Sequence, residues 1–167
     1  NDARRQRQMC IRDSHKDSLY LAAVCSRYLK NYKDSKEYLN NLLTQAPDMG
    51  RAYQELGHLC KAIGENEEAA SHYRQACELN PALVASWKSL FNYFNKRNNK
   101  AAAEHAHEQI KKLDSLPPIL LYISQILNEG RLAIAEQKCR EFLKKNPTNV
   151  YAMSLLSDIA KKFGYYD

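Results

Sequence analysis

The chain has 167 residues, a mass of 19.3 kDa and a formal net charge of +6 at pH 7. This length is enough for one domain or one short array of repeats. Five Gly and five Pro are too few for a turn-rich β-sandwich or for a nucleotide fold built on Gly-rich loops. The longest apolar run, residues 117–123, is far shorter than the roughly 20 residues that cross a bilayer. We therefore expect no membrane span, and the charged first residues predict no signal peptide.

In chain order, the first feature is an arginine-rich segment at residues 1–14, which contains the series RRQRQMCIRDS. Such a series would ordinarily suggest a basic arm for nucleic acid or phospholipid. However, it is also the translation of a common transposase-type sequencing adapter. We therefore interpret residues 1–14 as an adapter artefact that is not native. Removing its four Arg and two Asp lowers the net charge from +6 to about +4, which predicts no specific nucleic-acid binding.

A repeat becomes visible between Pro47 and Pro81, which are 34 residues apart. If Gly50 is counted as position 1, seven spaced positions hold the residue types that mark one kind of helical repeat. These residues are Tyr53, Leu56, Gly57, Ala69, Tyr73, Ala76 and Pro81. In this pattern the segment resembles a tetratricopeptide repeat, which is a pair of antiparallel helices, A and B.

The pattern has a physical explanation. Gly57 and Ala69 are small because the two helices of a repeat cross closely at these positions. Gly64 is expected to end helix A in the left-handed conformation, which glycine adopts at the least cost, and Gly130 stands at the same turn of the fourth unit. Pro81 is expected to stop helix B, because proline has no backbone N–H to donate.

The recurrence divides the chain into four full units and one partial unit, with Ser35 in place of the small Ala in the first. The third unit ends two residues early, and the fifth reaches Asp167 before any second helix, so we expect the chain to be truncated within a repeat. The predicted fold is all-α, an α-solenoid of antiparallel helix pairs that forms a right-handed superhelix. The units are residues 16–49, 50–83, 84–115, 116–149 and, in part, 150–167.

The second half of the chain has a narrower likeness. From Pro81 onward, it resembles the N-terminal repeat region of bacterial tetratricopeptide–sulfotransferase proteins. The resemblance lies in a turn, a helix pair and the helix that follows. The matching residues are Pro117, Glu129-Gly130-Arg131, Ala135-Glu136, Pro147 and residues 152–156. This resemblance implies an intact protein that transfers a sulfuryl group from phosphoadenosine phosphosulfate, with the transferase domain beyond Asp167. The phosphosulfate-binding loop has no counterpart here, so we expect no enzyme activity and no cofactor in this fragment.

Histidine and cysteine patterns predict neither a metal site nor a catalytic site. His105 and His107 point in different directions on one helix, so they cannot chelate one ion from it; we expect His107 to pack and His105 to face solvent. The cluster of Glu65, Glu67 and Glu68 is explained by the favourable charge at a helix N-terminus. The cysteines are odd in number and form no C-x-x-C pair, so we expect buried free thiols in a reducing cytoplasm. They are Cys10, Cys25, Cys60, Cys77 and Cys139.

The concave face is the remaining candidate site, because positions 2, 5, 9, 12 and 13 of helix A face inward in this fold. Asn and Gln there can hydrogen-bond an extended peptide, and Lys and Arg favour acidic segments. An ordinary solvated face explains the same residues equally well. A chaperone-type carboxylate clamp is disfavoured, because Leu121 and Leu155 occupy positions where Asn and a cation are required. The predicted peptide-binding residues are Arg27, Arg51, Gln54, His58, Lys61, Lys88, Asn92, Asn95 and Lys96.

These observations predict a non-catalytic scaffold that binds a protein or peptide and recruits substrate for a larger, sulfotransferase-like bacterial protein. The alternative is a free-standing adaptor in secretion or envelope assembly, with no enzyme attached.

Overall fold

A computed structural model describes the backbone of residues 2–164 and the side chains of residues 15–164. This part of the chain contains nine helices and no strand, which confirms the all-α prediction. The helices are α1 (Asp2–Tyr28), α2 (Tyr32–Gln45), α3 (Gly50–Ile63), α4 (Asn66–Leu79), α5 (Val84–Lys96), α6 (Lys100–Asp114), α7 (Pro118–Asn128), α8 (Leu132–Lys145) and α9 (Val150–Lys162). The side chains on which the adapter hypothesis for residues 1–14 depends lie outside the described residues.

One backbone feature repeats along the whole array. The fifteenth residue of every repeat adopts a positive φ, whether or not it is a glycine. Glycine was predicted for the second and fourth turns, and this is confirmed, whereas lysine and asparagine adopt the same conformation in the first and third. The five residues are Lys30 (φ 61°), Gly64 (φ 91°), Asn98 (φ 54°), Gly130 (φ 76°) and Gly164 (φ 75°). Each follows a first helix, and in the first four repeats the same kind of turn connects that helix to the second one.

The chain divides into two compact units, Asn1–Glu78 and Leu79–Asp167. The first unit contains the hairpins α1–α2 and α3–α4, around a core that includes Leu39, Leu42 and Ala52. Ser35, which replaces the expected small Ala, is fully buried, and its hydroxyl donates a hydrogen bond to the Ala23 carbonyl at 2.9 Å. A small side chain therefore does occupy this crossing, with its one polar group satisfied.

The second unit contains the hairpins α5–α6 and α7–α8, followed by α9, which packs against α7 and α8. An apolar cluster of this unit includes Leu120, Ile123, Cys139 and Ile159, all of which are at most 1% exposed. The side chains of the hairpins thus supply the core of each unit. No helix in the described part of the chain combines the length and the apolar character that a bilayer span requires.

Candidate functional site

The crossing of α3 and α4 positions the central part of the first unit's predicted site. A Cβ atom at Gly57 would lie only 2.6 Å from the ring of Tyr73, so the expectation of a close crossing at Gly57 is confirmed, and the ring of Tyr73 fills the space. The Tyr73 hydroxyl lies 2.7 Å from Nδ1 of His58. Burial, with the charges of Arg27 and Lys61, lowers the pKa of His58 from 6.5 to about 4. His58 is therefore neutral at pH 7, and its ring is hydrogen-bonded to the Tyr73 hydroxyl.

Arg27 and Glu55 form a partly buried ion pair in the first unit. Glu55 is 2% exposed, and both of its carboxylate oxygens accept hydrogen bonds from the Arg27 guanidinium. Burial by itself would lower the pKa of Arg27, but the hydrogen bonds and charge of Glu55 outweigh it, so the pKa is raised. The guanidinium also lies 4.4 Å from the ring centre of Tyr28. The charge of Arg27 is therefore largely compensated by a carboxylate that the sequence analysis did not single out.

Arg51 is also held by neighbours from its own unit. One Nη atom lies 3.3 Å from a carboxylate oxygen of Asp17, and the guanidinium lies 4.7 Å from the ring centre of Tyr20. Gln54 is half-buried, and Lys61 is exposed at the end of α3. The first unit therefore presents less uncompensated positive charge than the sequence predicts, with Lys61 as its most accessible cation of the predicted set.

Four predicted residues of the second unit lie together on α5. Lys88, Asn92, Asn95 and Lys96 are all exposed, and their spacing of four, three and one residues places them along one helix face. Lys88 Nζ lies 3.5 Å from a carboxylate oxygen of Asp114, and both side chains are about half exposed. A surface pair of this kind contributes about 0–1 kcal/mol. A ligand carboxylate can therefore replace Asp114 at little cost.

The histidines of α6 differ in part from the prediction. His107 is exposed, so its expected role as a buried packing residue is wrong, although its ring centroid lies 5.4 Å from that of Phe91. His105 is exposed as predicted, with its ring centroid 5.7 Å from that of Trp87. Trp87 is half-buried and donates a hydrogen bond from Nε1 to the Pro81 carbonyl at 2.9 Å. These aromatic contacts stabilise the hairpin.

The thiols follow the expectation with one exception. Cys60, Cys77 and Cys139 are buried, whereas Cys25 is exposed, so its predicted burial is wrong. Residue 25 lies two positions from the buried Ala23, and on a helix this spacing turns the side chain away from the core. The side chain of Cys10 lies outside the described residues.

One group of side chains has the composition of a metal site. The candidate ligand atoms of Cys60, Glu65 and Glu68 lie within 4.8 Å of one another. Burial, reinforced by the two carboxylates, raises the pKa of the Cys60 thiol. Metal binding requires the thiolate, so an ion at this position would have to displace the thiol proton. The geometry fits the simpler role predicted for these glutamates, with Glu68 in the first turn of α4.

Two segments of the chain match family models, and both models are described as tetratricopeptide repeat. The matched residues are 17–48, which span the end of α1 and α2, and 50–83, which span α3 and α4. The packed helix pairs and the recurring left-handed turn agree with these matches. Residues 17–48 and 50–83 are therefore identified as tetratricopeptide repeats, and these two matches support a tetratricopeptide repeat protein.

Proposed function

We propose that this protein is a non-catalytic scaffold that binds an extended, acidic protein segment along the exposed face of α5. Tetratricopeptide repeats suggest a protein-interaction scaffold in general, and α5 supplies the specific support. Its row of two lysines and two asparagines is exposed, and it consists of the side chains that pair with carboxylates and with peptide groups.

The spacing along α5 suggests the form of the ligand. Lys88 and Lys96 are eight residues apart, which corresponds to about 12 Å along a helix. Four residues of an extended peptide span about 13 Å. A ligand with two acidic side chains four residues apart can therefore reach both lysines. Asn92 and Asn95 lie between them, where their amides can donate to and accept from the ligand backbone.

The first unit contributes to the binding of the ligand in a different way from α5. Arg27 and Arg51 are already paired with Glu55 and Asp17, so binding a ligand carboxylate there would require an existing ion pair to be exchanged. We assign these arginines to positioning within the fold and keep Lys61 as the basic contact of this unit.

The test is calorimetric titration of an extended peptide carrying two Asp residues four apart. Lys88→Glu with Lys96→Glu is expected to weaken binding by at least about tenfold, because two attractive charges become repulsive. The matched control is Lys144→Glu with Lys145→Glu, which makes the same charge change at exposed residues of α8. Equal losses in both variants would mean that only net charge matters, and this result would leave α5 an ordinary solvated face.

The wider role that we propose is substrate recruitment, as the cytoplasmic N-terminal arm of a larger bacterial sulfotransferase-like protein. The support is the resemblance at Pro117, residues 129–131 and residues 152–156. Sulfuryl transfer and the phosphoadenosine phosphosulfate site would then belong to another domain. Sequencing the source gene past the codon for Asp167 tests this role. A strand followed by a basic, hydroxyl-rich loop supports it, whereas a stop codon favours a free-standing adaptor in secretion or envelope assembly.

A further inference from the structure

Residues of α5 and α6 line a cavity of about 450 Å³ in the second unit. Its apolar part consists of Phe91, which is half-buried, and Ala103, which is buried. The ring of His107 also lines the cavity, and its centroid lies 5.4 Å from that of Phe91. The other lining residues are polar, namely Asn95, Lys100, Glu104, Glu108 and Lys111. The cavity therefore joins an aromatic wall to a polar edge.

Two positions of α6 differ from their counterparts in the other repeats. His107 and Lys111 stand at positions 24 and 28 of the third repeat, and both are exposed. In the other full repeats these positions hold hydrophobic residues, all of them buried or half-buried. They are Leu39, Tyr73 and Cys139 at position 24, and Leu43, Cys77 and Leu143 at position 28. The hairpin α5–α6 thus presents polar side chains where the other hairpins present packing side chains, which suits contact with water or a ligand.

The next helix of the chain, α7, is attached at another place. The side chain of Gln125 donates to the Ala82 carbonyl at 2.9 Å, and the carbonyl of Gln125 accepts from the Asn80 side chain at 3.1 Å. Asn128 Nδ2 lies 3.4 Å from Asn80 Oδ1. The last turns of α7 are therefore fixed to the loop before α5. Within the described residues, every residue that lines the cavity belongs to α5 or α6.

The cavity adjoins the row of exposed polar residues on α5. Asn95 belongs to both, since it lines the cavity and is a member of the row. Phe91 lies three residues after Lys88 and four before Asn95, so the three side chains are neighbours on one side of the helix. A ligand that lies along the row therefore passes the opening of the cavity.

We propose that this cavity binds an aromatic side chain of the acidic segment, at the residue midway between its two acidic residues. The inference rests on the proposed function and adds the central residue of the ligand. Side chains of an extended chain alternate between two sides, so this residue points to the same side as acidic residues two positions before and after it. The midpoint between Lys88 and Lys96 is Asn92, which directly follows Phe91.

The lining of the cavity favours an aromatic side chain over a charged one. Two lysines and two glutamates stand at its polar edge, so a ligand side chain of either sign would meet like charge. The rings of Phe91 and His107 attract a third ring in addition to the apolar area that it buries. In the hairpin α3–α4, the ring of Tyr73 fills the corresponding crossing, which shows that an aromatic group suits this part of a repeat.

The test uses three peptides of the form Asp-x-Z-x-Asp, in which Z is Trp, Leu or Ala, titrated by calorimetry against the full chain. The Trp peptide is expected to bind about fivefold more tightly than the Leu peptide and at least about tenfold more tightly than the Ala peptide. His107→Ala should weaken binding of the Trp peptide about fivefold and that of the Ala peptide less than twofold.

The matched control is His105→Ala. His105 is the other exposed histidine of α6 and also contacts an aromatic ring of α5, that of Trp87, but it lies outside the cavity lining. This variant should leave the affinity for each peptide within about twofold. Circular dichroism establishes that both variants keep their helicity.

The outcomes separate this inference from the proposed function. If the three peptides bind equally and Lys88→Glu with Lys96→Glu still weakens them, the cavity assignment is overturned and the proposed function stands. A preference for Trp that His107→Ala leaves unchanged, or a Leu peptide that binds as tightly as the Trp peptide, also overturns the assignment. Absence of binding by all three peptides overturns both.

Discussion

The hairpins α3–α4 and α5–α6 differ in the residues at the point where their two helices cross. At position 8 of the repeat, α3 has Gly57 and α5 has Phe91; at position 24, α4 has Tyr73 and α6 has His107. In α3–α4 the aromatic ring is that of Tyr73, on the second helix, and it is 2% exposed. In the other, Phe91 is half-buried and His107 is exposed.

The difference shows what the small residue accomplishes. Without a Cβ at Gly57, the Tyr73 ring can lie directly against the α3 backbone, where it is buried. With a phenyl ring already at position 8, the imidazole of His107 remains at the surface beside Phe91. A cavity of about 450 Å³, lined by both rings, lies next to them. Between these two hairpins, glycine at position 8 therefore accompanies a closed crossing and phenylalanine an open one.

The largest expected effect is that of Gly57→Val. The new side chain would overlap the buried Tyr73 ring, so we expect a loss of about 2–3 kcal/mol in the free energy of unfolding. Valine has a higher helix propensity than glycine, so a loss of this size would be steric. Urea denaturation followed by circular dichroism measures it.

The control for this change is the double variant Gly57→Val with Tyr73→Leu. If the ring is the obstacle, the smaller partner should recover part of the loss, with a coupling energy of at least about 0.5 kcal/mol. Strictly additive effects would mean that the crossing is not limited by Tyr73.

The second prediction concerns the buried side-chain amide of Asn80, which lies in the loop before α5 and stabilises the second unit. Asn80 is 1% exposed, donates to the Gln125 carbonyl at 3.1 Å and accepts from the Ala82 N–H at 3.2 Å. Asn80→Ala removes both hydrogen bonds, and a third that Asn80 Oδ1 accepts from Asn128 Nδ2 at 3.4 Å. The Gln125 carbonyl still accepts from the Glu129 N–H, but the buried Ala82 N–H loses its acceptor, so we expect a loss of about 1–3 kcal/mol in the free energy of unfolding. Asn95→Ala, at an exposed position, is the control and should change it by less than about 0.5 kcal/mol.

The sequence predicts the features that depend on local spacing. The repeat period, the glycine turns at Gly64 and Gly130 and the small residue at Gly57 each follow from which residue stands at which position. Lys30 and Asn98 were missed as turn residues because neither type by itself favours a positive φ as strongly as glycine does.

The ion pairs of the candidate site were missed for a different reason. Arg27 and Glu55 are 28 residues apart, and Arg51 and Asp17 are 34 apart. The period indicates which face of a helix a residue occupies, but not which charged side chain of a neighbouring helix meets it. A buried glutamate among the apolar positions of α3 was the one available signal, since such a residue requires a cation.

The third prediction uses the pKa of His58 to test the closed crossing. The folded pKa of about 4 lies below the ordinary value of 6.5, so between these values the unfolded chain binds more protons than the folded one. The free energy of unfolding should therefore fall as the pH is lowered from 6.5 to 4. His58→Phe should reduce this dependence, because the imidazole buried at the closed crossing is then absent. Urea denaturation at a series of pH values provides the measurement, and an unchanged slope for His58→Phe would contradict the assignment.

The smallest perturbation is thiol labelling, which tests the closed crossing without altering it. In a Cys10→Ser background, Cys25 should react first, because it is exposed. Cys60 and Cys77 should react at least about 100-fold more slowly, since both are buried in the hairpin α3–α4 and burial raises the pKa of Cys60.

Combining this labelling with Gly57→Val separates local from global loosening. If the substitution opens only the α3–α4 crossing, the labelling of Cys60 and Cys77 should accelerate while that of Cys139, buried in the second unit, stays slow. Equal acceleration at all three thiols would mean that the two units unfold together. The closed crossing would then stabilise the whole array, and the open hairpin α5–α6 would depend on it.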